Sequence, residues 1–223
     1  MTEAADKRTQ TVRIALLIAA VILAAASCID LPSDSRGGTS LFLQHLGTLF
    51  LLLPLAADLK LRSFTIPVCI CFFIFIGLHI LGARYLYSNV PYRQWAEQLF
   101  GIHLIKPKHH PNQYDRLVHF AFGLLLLPLF LQIARRWLKI GNYALALLVA
   151  WLFVQCFSLL YEIFEWLLTL IVKPEDVKNY NGQQGDVWDA QKDMCLALIG
   201  STLTAAFLAL RRFFIRLWKR RKA

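Results

Sequence analysis

Six apolar blocks, separated by short charged or proline-bearing stretches, run along the chain at 12–29, 40–57, 64–85, 114–133, 143–172 and 186–210. Each has at least 18 residues, enough for an α-helix rising 1.5 Å per residue to cross a hydrocarbon core of about 30 Å. The fifth block would be roughly 45 Å long as a helix, so it must tilt or protrude. Between the third and fourth blocks, 86–113 carries Pro91, Pro107 and Pro111, a short amphipathic piece at 92–100 and the aromatics Tyr87, Tyr92, Trp95 and Phe100. Its longest apolar run is too short to span, which predicts a segment along the interface, placed as a lid. A Gly/Asn/Gln-rich loop at 173–184 precedes the sixth block, and a basic tail at 211–223 follows it. The pattern predicts one membrane domain over 1–223, all-α, a polytopic transmembrane bundle of about six helices. The first block also has the outline of a signal peptide, with Ala25-Ala26-Ser27-Cys28 as a loose cleavage or lipoprotein site. The five blocks that follow favour a span.

Composition strengthens this picture: 57% of the 223 residues are apolar and 17% charged, far from the mix of a soluble domain. The net charge of +10 raises nucleic acid as a partner. The basic residues, however, stand at block edges with no aromatic-interleaved patch, so membrane lipids are the expected partner and nucleic acid is not. The five cysteines show no CxxC spacing and read as small buried hydrophobes; Cys69 and Cys71 would face opposite sides of a helix, which argues against a thiolate metal pair.

Lys and Arg distribution sets the expected orientation. With the N-terminus inside and six spans, 15 of the 24 Lys and Arg fall on the cytoplasmic side, giving a multi-pass protein of a bacterial inner membrane with both termini cytoplasmic. Of the 14 acidic residues, only Glu3, Asp6 and Asp58 then lie inside. The orientation rule is nearly indifferent to Asp and Glu, so something else places the other acids, and all the histidines, towards the outer face.

Three clusters lie there. Asp115 and His119, at i, i+4, sit about 40° apart on one helix face. They suit metal ligation or a carboxylate-oriented imidazole, against a dipole-stabilised Asp with a packed core His. Glu162 and Glu165 share a face inside an apolar block, where each charge costs about 2.5–3.5 kcal/mol on insertion scales and is paired, protonated or functional; pairing with Arg116 is the structural alternative. Asp186, Asp189 and Asp193 form a stripe within about 60°; N-capping accounts for Asp186 only. The assumed topology brings all three to the outer leaflet. Carboxylates with one imidazole suit a divalent metal ion such as Mg, Mn or Zn, and the spacings match no named metal signature. The expected metal ligands are Asp115, His119, Glu162, Asp186, Asp189 and Asp193, with Glu165 or His119 as general base and Arg84, Arg116 and His79 towards substrate. His45 is a further candidate ligand, with helix packing as its alternative.

The segments 78–87, 114–120, 161–166 and 184–194, the last reading Gln-Gly-Asp-Val-Trp-Asp-Ala-Gln-Lys-Asp-Met, resemble the YjdF-like family of bacterial inner-membrane proteins, a domain of unknown function. More distantly, an Asp-x-x-x-His helix start, a membrane glutamate and a later Asp-rich helix start followed by Gly200 and Ser201 are similar to VanZ-like proteins. The resemblance implies the topology and the choice of site but brings no reaction. Three functions compete: a metal-dependent enzyme acting on a lipid-linked or cell-envelope substrate; a non-catalytic membrane partner or lipid-binding scaffold with a structural cation site; and an ion-coupled transporter. Inverted repeats and paired broken helices, the marks of many carriers, are missing from the sequence, and the enzyme reading is preferred.

Overall fold

The computed structural model describes residues 3–29, 38–104, 112–171 and 186–222. They form seven helices: α1 (Glu3–Ser27), α2 (Gly38–Leu61), α3 (Ile66–Arg84), α4 (Tyr92–Phe100), α5 (Tyr114–Arg136), α6 (Tyr143–Ile171) and α7 (Asp189–Arg220). All except α4 are long and apolar enough to cross a membrane, and no strand occurs among the described residues. The protein is an all-α polytopic bundle, as the six apolar blocks predict. The 173–184 loop, and His109 and His110, lie outside the described residues.

Local chemistry explains the boundaries. Thr65 is extended (φ −76°, ψ 153°) ahead of α3, whose first turn holds Pro67, where a missing N–H breaks no helical hydrogen bond. The helix α4 ends on Gly101 at φ +66°, the left-handed closure that glycine adopts without strain. Three boundaries differ from expectation. The stretch 211–220 is not a separate tail but the last turns of α7: Arg and Lys are good helix formers, and the Arg212 guanidinium lies 4.0 Å from the Tyr143 ring centroid at the start of α6. At the other end of α7, 186–188 form a turn ahead of a helix that begins at Asp189. Likewise α1 begins at Glu3 rather than near residue 12; Gln10 on this added length donates to the Leu59 carbonyl at 3.0 Å.

Consecutive spans alternate in direction, so the chain has two ends. The termini end gathers the start of α1, the finish of α7, the α2–α3 turn and the α5–α6 turn; the site end gathers the starts of α2, α5 and α7 and the finishes of α1, α3 and α6. Close packing joins α5 to α7, α6 and α3, α1 to α2 and α3, α6 to α7, and α2 to α3. The tightest of these crossings is α5 on α7. A Cβ at Gly123 would stand 2.1 Å from the Ala197 carbonyl oxygen, and one at Gly200 only 2.3 Å from that of Phe120. Two backbones meet there, and the Thr204 hydroxyl donates to the Leu124 carbonyl at 2.8 Å one turn further on.

Candidate cation site and lateral cleft

The α5–α7 crossing fixes what faces what at the site end. Asp193 precedes Gly200 by seven residues, two turns, and so shares its face; His119 and Asp115 precede Gly123 by four and eight. Because α5 and α7 run in the same direction, all three climb from one contact point to one level. Asp115, His119 and Asp193 each offer a ligand atom within 4.8 Å of the others.

The helix α6 brings the remaining carboxylates. Its buried residues are Ala146, Ala150, Val154, Ser158, Glu162 and Glu165, one stripe at intervals of four and three that begins with small apolar side chains and ends in two acids. Glu162 Oε1 is 3.4 Å from His119 Nε2, and Asp115 Oδ1 is 3.7 Å from the same nitrogen. Glu165 is buried beside them, in hydrogen-bond contact with Tyr161 one turn back. The Tyr161 ring in turn stands edge-on to His119, with centroids 5.7 Å apart.

The other expected residues divide differently. The Arg116 guanidinium donates to Asp186 at 2.7 Å and to Asp189 at 3.3 Å, Lys192 also bonds Asp186, and the Trp188 N–H donates to Asp186 Oδ1 at 3.0 Å. Asp186 is therefore occupied as a helix-start clamp, and Arg116 joins that clamp instead of facing outward to substrate. Arg84 donates to the carbonyls of Ser27 at 3.0 Å and Ile29 at 2.7 Å, closing the end of α1. His79 Nε2 lies 3.3 Å from the Gln44 carbonyl and Nδ1 2.5 Å from the Tyr87 hydroxyl. A carbonyl only accepts, so Nε2 carries the hydrogen and Nδ1 accepts from Tyr87; both nitrogens are used. His45 lies 3.5 Å from the Cys28 sulfur.

What sets the inner cluster apart is unmet bonding. Asp193 is 2% exposed and Glu162 8%, yet Asp193 Oδ1 and Glu162 Oε1 have no hydrogen-bond partner among the described residues. Buried acceptors of this kind are rare, and each calls for an explanation. Two neutral groups nearby share the condition: Gln44 Oε1 on α2 and Ser158 Oγ on α6.

These last two line a cavity of about 470 Å³. It lies between α2 and α6, which are not among the closely packed pairs, and α3 and α5 make its floor. Asp115 and His119 belong both to this wall and to the carboxylate cluster. So does Tyr87 line it, a residue that sequence reading treats only as an interfacial aromatic. Leu86 and Tyr87 are both left-handed (φ +49° and +55°), a costly pair for non-glycine residues, and together they fold the Tyr87 ring back over Gly82. A Cβ at Gly82 would lie 2.7 Å from that ring, so the glycine opens the space that brings Tyr87 to His79.

The family model described as "Predicted membrane protein (DUF2238)" matches residues 11–213. The inner membrane protein YjdF of Escherichia coli (strain K12) is 30% identical over 141 residues, which is 63% of this chain and 63% of that protein. No solved structure matches.

Proposed function

The chain belongs to this DUF2238 family of membrane proteins, and from the site its helices assemble we propose that it is a metal-dependent enzyme acting at the outer leaflet on a lipid-linked or cell-envelope substrate. In this reading both termini are cytoplasmic, in keeping with the basic termini end, and the site end faces outward. The observation that carries the proposal is the set Asp115, His119 and Asp193, with ligand atoms within 4.8 Å of one another, in which one buried oxygen of Asp193, and one of neighbouring Glu162, has no hydrogen-bond partner among the described residues. Several carboxylates this close repel strongly at low dielectric unless something positive joins them, and Arg116 and Lys192 are turned towards Asp186. A divalent ion held by Asp115, His119, Asp193 and Glu162 supplies the missing charge. Oxygen donors with one imidazole suit Mg, Mn or Zn, and carboxylate sites on facing helices have precedent in bundle proteins. Such an ion would polarise a substrate oxygen or activate water, and Glu165, buried alongside, is the base we assign to take the proton.

The test has two stages. Detergent-purified protein should hold about one divalent ion per chain by elemental analysis, and Asp193→Asn and His119→Ala should lose it; a wild-type chain without metal sinks the proposal. Wild type and Glu165→Gln are then reconstituted with total envelope lipids and the lipids followed by mass spectrometry. A product formed by wild type, absent with chelator and absent in a metal-retaining Glu165→Gln, supports the enzyme. Bound metal with no product refutes the enzyme and makes the ion structural.

A further inference from the structure

The cleft between α2 and α6 changes character along its length in a way the cation site does not require. At the site end its wall carries Gln44, His79, Tyr87, Asp115 and His119; one to two turns deeper it carries Phe50, Leu51, Phe75, Phe122 and Phe157. The direction agrees on α2, α3 and α5, where residue numbers rise away from the site on α2 and α5 and fall away from it on α3, while α6 contributes Tyr161 and Phe164 towards the site end and Ser158 and Phe157 deeper. From Leu43 to Leu51 the graded wall covers about 12 Å at 1.5 Å per residue. The volume of about 470 Å³ falls in the range of small-molecule pockets.

We infer that this cleft seats the hydrocarbon chain of a bilayer lipid, which enters sideways between α2 and α6 and presents its head to Asp115 and His119. The head's destination rests on the site reading proposed above; the seating of the chain rests on the cleft alone. Three observations converge on an amphiphile of this orientation. First, both flanking helices are candidate spans, with Phe50 64% and Phe157 50% exposed beside the opening, so the mouth faces hydrocarbon. A polar solute has no path through that side. Second, the polarity gradient runs as it does in a lipid within one leaflet, head at the membrane surface and tail towards the midplane. Third, Gln44 Oε1 and Ser158 Oγ are buried on opposite walls without partners. A wholly apolar filler would leave both unmet, whereas the ester and hydroxyl groups near a lipid head would bond them once the side chains turn to the cleft. The cleft's position also accounts for Gly47: a Cβ there would come within 3.2 Å of His79 Cε1 and close the wall where head and tail divide.

The full chain is reconstituted in vesicles of phosphatidylethanolamine and phosphatidylglycerol, doped with a phospholipid carrying a diazirine in one acyl chain. After illumination the adducts are mapped by peptide mass spectrometry, and metal content is measured in parallel. Adducts should concentrate at Leu46, Phe50, Phe122 and Phe157, several-fold above those at Ile18 and Ile22 on the exposed face of α1. Leu46→Trp and, independently, Leu43→Trp should fill the cleft and cut its adducts about tenfold, leaving α1 labelling and metal content unchanged. Adducts no denser in the cleft than on α1, adducts that survive both tryptophans in folded protein, or cross-links that join two copies through the cleft would each overturn the inference. The two readings fail separately. A wild-type chain that lacks metal but labels the cleft defeats only the cation site; a metal-loaded chain with unlabelled cleft defeats only the lipid seat.

Discussion

The bundle buries acidic side chains at both ends, and the two ends treat them in opposite ways. At the termini end Asp58, 1% exposed, accepts from Arg13 Nε at 2.9 Å, from the Ser63 and Phe64 backbone N–H groups at 2.6 and 2.9 Å, and from the Cys69 thiol at 3.4 Å. Arg13 donates onward to the Phe64 carbonyl at 2.7 Å. Both carboxylate oxygens are matched and the pair ties α1 to the α2–α3 turn. At the site end Asp115, Glu162 and Asp193 stand round one imidazole with Glu165 buried beside them, and two of their oxygens have no hydrogen-bond partner among the described residues. A charge kept for the fold comes with its donors built in; acceptors left over at the same burial mark a place for something the chain does not itself provide. That contrast, more than the number of acids, separates a structural lock from a site.

Breaking the lock should have the largest effect. Asp58→Ala leaves Arg13 buried without a counter-charge and frees two backbone N–H groups, a loss of about 3–5 kcal/mol. Melting followed by size-exclusion in detergent should show a chain that aggregates or unfolds well below wild type, with or without divalent metal. Asp193→Asn should behave in the opposite sense. Without metal it removes an unmatched buried charge, so it melts at or above the wild-type temperature. With metal at about 100 times its dissociation constant, wild type gains roughly 2.7 kcal/mol by linkage and the variant does not. Equal melting temperatures for wild type with and without metal would erase the distinction between the two ends.

Geometry gives the third effect, through the crossing that lifts Asp115 and Asp193 to one level. Gly123→Ala puts a methyl where the Ala197 carbonyl oxygen stands 2.1 Å away, so α5 and α7 must part. Overpacking of this kind costs about 1–3 kcal/mol, and the diagnostic readout is metal affinity, which should fall although no ligand has changed. An Ala variant that keeps wild-type affinity shows that the carboxylates do not depend on the crossing.

How much of this the sequence carried differs by feature. The spans were legible because blocks of that length have one economical solvent, and the carboxylates of α5, α6 and α7 were legible because charge at membrane depth needs a reason. Their division was not. As helical residues Asp186, Asp189 and Asp193 would share one stripe, but Asp186 lies in the turn ahead of α7 and pairs with Arg116, whereas Asp193, on α7 itself, joins His119. Arg84 looked free for a substrate because the finish of α1, whose carbonyls it bonds, is distant in sequence. Gly123 and Gly200 are two glycines among 11, and nothing local marks them as the place where backbones touch. The cleft was invisible for a related reason. In a membrane helix most faces are apolar, so periodicity does not tell which pair of helices fails to pack.

The smallest expected effect isolates burial from charge. Arg62 pairs with Asp6 at 2.7 Å at the same end as the Arg13–Asp58 lock, but the two side chains are 48% and 38% exposed. The ion types and the length of the contact are nearly those of the lock; what differs is water. In high dielectric the Coulomb gain is small, two long side chains are immobilised to obtain it, and the charges remain solvated when the partner is removed. Arg62→Ala should therefore cost only about 0.2–1 kcal/mol, and raising the salt concentration should shrink even that, whereas the loss in Asp58→Ala should be nearly salt-independent. A double-mutant cycle with Asp6→Ala measures the pair directly. If its coupling energy approached that of Arg13 with Asp58, burial would not be what distinguishes the lock, and the unmatched buried oxygens at the opposite end would no longer mark a site.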